Sequence, residues 1–198
     1  MPRVAGREYR DMQPMQAAED MKVRGYASTF EKYVLARIEG VDYYEQIDPH
    51  AFDKADMADV IMQYDHEGRV YARQSNGTLF LNVDERGLAV EADLSKTATQ
   101  RGLYEDIKAG LITKMSFAFT IAEGGDDYDP KTHTRTIYAI RKVFDVSAVS
   151  IPANPGTDIS ARSFLDGVIE AERAERLRAE ERAQQRAKLL LKLKLMER

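Results

Sequence analysis

Between residues 22 and 151 the chain is a succession of short runs in which apolar and polar side chains alternate, with turn residues between them. Period-two alternation is the signature of a half-buried β-strand. The runs are "KVRGYASTF" (22–30), "VDYYEQI" (41–47), "DVIMQY" (59–64), "RVYAR" (69–73), "TLFLNV" (78–83), "LAVEADL" (88–94) and "TKMSFAFTI" (113–121). "DHEG" (65–68) and "DERG" (84–87) break them as turns, and the second predicts a hairpin. "RTIYAIRKVFDVSAVSI" (135–151) is long enough for two short strands or one bent one, after a polar loop over 123–134. Proline cannot feed a ladder, so "PANPG" (152–156) should end the sheet region.

Two stretches carry helical signals. In "TATQRGLYEDIKAGLI", Leu103, Tyr104, Ile107 and Leu111 recur at helical spacing, and Gly110 stands where a glycine follows a helix C-terminus. Asp48-Pro49 reads as an N-cap with proline at N1, opening a short helix through "HAFDKADM". From about Ser163 the composition changes to Ala, Glu, Arg, Lys and Leu without proline, which predicts one long solvated helix with an apolar end at Leu189–Met196. The sum is a β-rich α+β fold: a small, mostly antiparallel β-barrel with flanking helices and a long C-terminal helix. The expected domains are a flexible N-terminal arm over 1–20, a compact domain over 21–160 and a charged helix over 161–198.

Composition narrows the function. A net charge of −4 and no basic aromatic stripe argue against a nucleic-acid-binding barrel. There is no cysteine, which removes disulfides, thiolate metal sites and cysteine nucleophiles. No membrane span and no secretory signal are expected, since no apolar run approaches about 18 residues and the N-terminus lacks an apolar core.

Few residues are left to carry chemistry. Of the three histidines, His50 falls on the predicted short helix and His133 in a polar loop, both surface positions. His66 ends an apolar strand, where a rigid element can hold a side chain at the rim of a cavity. In "KMSFAF", Met115, Phe117 and Phe119 point to one face and Lys114, Ser116 and Ala118 to the other. Ser116 is therefore either a serine on the wet face of a sheet or a nucleophile with room beside it. No Gly-x-Ser-x-Gly elbow or Ser-x-x-Lys pair accompanies it. Asp145 shares a face with Val143, Ser147 and Val149, so it is either an edge acid facing water or a buried acid in need of a partner such as histidine.

The ordered set "GYASTF", "YYEQIDPHAF", "MQYDHEGRVYAR", "GLAVEADL", "RGLYEDIKAGLITKMSFAF" and "FDVSAVSIPANP" resembles the prohead (capsid maturation) protease family of tailed double-stranded DNA phages, over residues 22 to 156. It is distantly similar to the herpesvirus assemblins. The resemblance implies a serine endopeptidase with Ser116 as nucleophile, His66 as base and Asp145 as the third member. No cofactor or metal is implied. The family more often has His-Asp where this chain has His66-Glu67, and glutamate where it has Asp145. His133, by analogy with the assemblins, and Asp65 or Glu67 are the alternative third members. The implied partners are the major capsid protein precursor or a scaffold, with self-cleavage and self-association, and no nucleic acid or membrane. The implied place is the assembling procapsid in the bacterial host cytoplasm, with the C-terminal helix as an anchor to shell or scaffold. The rival reading is an inactive assembly or scaffolding protein that works through that helix.

Overall fold

A computed structural model describes residues 7–150 and 159–196; "PANPG" lies outside the described residues. The chain divides into two compact units, residues 1–161 and 162–198. Among the described residues of the first unit, thirteen strands form three sheets. One is β1 (Glu8–Pro14), β10 (Lys114–Ile121), β13 (Ile140–Val149), β6 (Ile61–Tyr64) and β7 (Glu67–Arg73), in that order. The second is β11 (Asp126–Asp129), β12 (Thr134–Ile137), β5 (Val41–Ile47) and β4 (Tyr33–Ile38). The third is β2 (Gln16–Ala17), β3 (Lys22–Thr29), β9 (Gly87–Asp93) and β8 (Leu79–Val83). Pairing is antiparallel except for β12 with β5 and β13 with β6. The β-rich α+β class holds, but no closed barrel forms among the described residues. A barrel needs one continuous ladder around its circumference, whereas each of these sheets ends on two edge strands and several ladders shift register at bulges.

The core is built from the apolar faces of the sheets. Val23, Met62, Leu88, Met115, Phe117, Phe119 and Val146 are fully buried. Helix α1 (Ala98–Lys108) closes it with Leu103, Tyr104 and Ile107. The side chain of Thr97 caps α1 by accepting from the Gln100 amide, and Gly110 follows its end with φ +74°, as the glycine position predicts. Leu111 lies beyond the helix and is exposed.

Two expectations are corrected. The stretch after Asp48-Pro49 is a series of turns rather than a helix. Asp48 does accept from the His50 amide, but the carbonyl of Ala51 accepts from the Ile140 amide and the Asp56 amide donates to Arg141, so the ladder to β13 takes the backbone groups a helix would need. The loose arm expected over residues 1–20 contains β1 and β2, and β1 is an edge strand paired along β10. Polar composition hides β1 because Glu8 and Arg10 are buried in ion pairs.

Those pairs form an ionic cluster joining β1 to the second sheet. Arg10, fully buried, donates to both carboxylate oxygens of Glu45, 2.7 Å in one case, and to Glu8. Arg135 donates to Glu8, Glu45 and Asp126 at 3.1, 3.3 and 2.7 Å, and the Tyr33 hydroxyl donates to Glu45. Burial pushes the Glu45 carboxyl up, but Arg10 and Arg135 outweigh it and hold it below its usual value. A depressed carboxylate contributes stability that is complete above the unfolded value, about 4.5, and is lost as pH falls through the folded one. Urea midpoints are therefore expected to fall on acidification below that range, and Glu45→Gln should flatten the dependence while lowering the plateau.

Most of α2 (Ile159–Met196) lies in the second unit, and its Leu177, Leu189 and Leu190 are exposed. No helix among the described residues is long and apolar enough to cross a membrane.

Candidate active site

The site lies on the first sheet, on the face opposite Phe117 and Val146. β10 and β13 are neighbours in register, so that Ser116 faces Ser147 and Ala118 faces Asp145. β13 in turn runs parallel to β6, and Asp65 and His66 join β6 to β7. Tyr64 pairs with Glu67, which leaves these two residues as a two-residue hairpin turn with φ of +49° and +59°. Two successive positive φ values mark a type I′ turn, where glycine or asparagine is usual. A non-glycine residue held there stores about 1–3 kcal/mol, and such strain concentrates at functional sites.

The turn is tied down at Asp65. Its amide donates to the Ala148 carbonyl at 2.9 Å, and its carboxylate accepts from the Ser150 amide and hydroxyl at 3.1 and 3.0 Å. Anchoring Asp65 aims the next side chain back across the sheet. His66 Nδ1 lies 2.6 Å from Asp145 Oδ1, and Nε2 lies 2.7 Å from Ser116 Oγ. An ionised carboxylate only accepts, so Nδ1 carries the proton of the neutral ring and Nε2 is free to accept from the serine hydroxyl. The ring of Tyr9, on β1, packs edge-on against the imidazole with centroids 4.8 Å apart.

The three nominated residues are thus brought together, although 50 and 79 positions separate His66 from the other two. Both open alternatives for Ser116 and Asp145 are resolved as regards location. Ser116 is fully buried rather than on a wet face, and Asp145, 3% exposed, stands on an interior strand rather than an edge. The other candidates lie elsewhere. His133 sits beyond β11 and contacts the Tyr128 hydroxyl at 3.1 Å; His50 is exposed beside Asp53. Asp65 is engaged with Ser150, and Glu67 is exposed.

Two neighbours were not nominated. Ser147 is fully buried and donates to Asp145 Oδ1 at 2.8 Å. Tyr9 was out of reach because its strand reads as a polar arm. Sequence held one signal for Ser147: its two-residue spacing from Asp145 in a strand puts both on one face. Beside Asp145 a cleft of about 320 Å³ opens, lined among others by Arg7, Asp59, Gln63, Arg73 and Phe144.

The sequence model of the family described as caudovirus prohead serine protease matches residues 8–167. The match spans most of the chain, and the chain belongs to that family. No curated protein and no solved structure matches it.

Proposed function

We propose that this family member is the endopeptidase that trims the scaffold, or a scaffold-like segment of the major capsid protein precursor, inside the assembling procapsid, and that it also cuts itself. The first compact unit, with β1 included, is the working domain, and residues 162–198 are a separate helical appendage. The single observation that carries the reading is the unbroken relay from Asp145 through His66 to Ser116, with both links under 3 Å.

In this mechanism Ser116 Oγ attacks the scissile carbonyl carbon while His66 Nε2 takes its proton. Asp145 holds the ring in the required tautomer and stabilises the imidazolium. Collapse of the tetrahedral adduct breaks the C–N bond, and His66 returns the proton to the leaving amine. The acyl group remains as an ester on Ser116. Water then attacks that ester, again with His66 as base, which frees the new carboxylate and restores the serine. In the free chain Ser116 is fully buried and the His66 side chain is only 11% exposed, so the groups around the serine must shift to admit substrate.

The test is co-expression of the full chain with its capsid precursor, read by intact mass spectrometry. A precursor shortened at one junction is the expected result. Assembled shells that contain only full-length precursor would favour the inactive assembly protein instead.

A further inference from the structure

We infer that Ser147 is a positioning residue for hydrolysis: its hydroxyl fixes the Asp145 oxygen that orients His66. The inference rests on the proposed roles of Ser116, His66 and Asp145, and adds a fourth side chain to them. Two donors converge on one atom. Asp145 Oδ1 receives His66 Nδ1–H at 2.6 Å and Ser147 Oγ–H at 2.8 Å. Ser147 has no exposure to solvent, so its hydroxyl must find an acceptor within the protein. It stands two residues along β13 from Asp145 and directly across the ladder from Ser116.

This arrangement has two consequences. A carboxylate bonded only to the imidazole can rotate about its side-chain torsions, and a ring misplaced by a fraction of an ångström loses its approach to Ser116. A second donor on Oδ1 removes that freedom. The same bond also spreads part of the carboxylate charge onto the hydroxyl, which moderates the pull of Asp145 on the imidazolium proton. Among the described residues, the Ser116 hydroxyl and the Tyr9 ring also meet the imidazole, and the Asp65 carboxylate is turned to Ser150.

The experiment compares native chain, Ser147→Ala and Ser147→Thr on a peptide spanning the cleavage junction, across pH. Ser147→Ala is expected to lower kcat about tenfold with KM little changed. Its acidic limb should also move up, because the unshared carboxylate holds the imidazolium more tightly. Ser147→Thr keeps the hydroxyl and should keep the native limb. A uniform loss at every pH, or no loss, would overturn the inference. His66 titration by NMR, with and without Ser147→Ala in a Ser116→Ala background, gives a readout independent of activity. The expected result is an upward displacement on removing the hydroxyl; an unchanged titration overturns it. If the native chain cleaves nothing, the proposed function fails, while the titration still decides the role of Ser147. If Ser147→Ala does not fold, Ser147→Cys, which leaves no cavity and donates only weakly, takes its place with the same expected displacement.

Discussion

Ser116→Ala is expected to leave the chain folded and to reduce precursor cleavage by about four to six orders of magnitude. The substitution removes one buried oxygen from an interior strand and leaves Met115 and Phe117 in the core untouched. It also removes the hydroxyl that lies within hydrogen-bond reach of His66 Nε2. Ser147, although adjacent, cannot take over, because its hydroxyl is committed to Asp145 and touches no imidazole nitrogen. His66→Ala should cost about as much, since an unassisted serine is a weak nucleophile. The two substitutions together should cost little more than either, because residues that act as a unit are not additive. Intact masses of the co-expressed precursor, with thermal melts of each variant, provide the check. Near-native cleavage by Ser116→Ala, or losses that simply multiply in the double variant, would remove these residues from the mechanism.

Arg10→Ala has the largest expected effect on stability. Arg10 is fully buried, and its loss leaves Glu45, also without exposure, with Tyr33 and a longer contact to Arg135 among the described residues. Breaking one side of a buried ion pair costs about 3–5 kcal/mol, because the remaining charge keeps its desolvation penalty. For a chain of this size each kcal/mol lowers Tm by about 2–4 °C, so a fall of about 6–20 °C is expected in calorimetry. Combining Arg10→Met with Glu45→Leu should recover most of it, since an apolar pair of similar volume carries no such penalty. A melt unchanged by Arg10→Ala would mean that β1 is held by its ladder alone. The same strand carries Tyr9 against His66, so loosening it should also lower activity before the fold is lost.

Local patterns in the sequence were sufficient for most elements. Alternation located β3, β5, β8, β9 and β10, and spacing located α1 and its glycine stop. They failed where a tertiary contact overrode local preference. β11, "DDYD", reads as loop because strand composition is apolar, yet it pairs with β12, and Asp126 is held by Arg135. The turns after Asp48 begin with a proper cap, but β13 draws their carbonyls away from a helix. β1 disappears into polar composition because Glu8 and Arg10 find opposite charges 127 and 35 positions away, respectively.

The site divides in the same way. By itself the sequence determined the residue types, their strands and the faces they share, since period two is a local property of the backbone. It also carried the family order that singled out Ser116, His66 and Asp145. Only the tertiary structure decided that β13 lies between β10 and β6, and this makes a relay of residues from three separate segments. The tertiary structure also turned Asp145 from an acid facing either water or a partner into one enclosed with His66 and Ser147. The physical reason is that strand order and the pairing of buried charges depend on the whole set of long-range contacts, which no window of neighbouring residues contains.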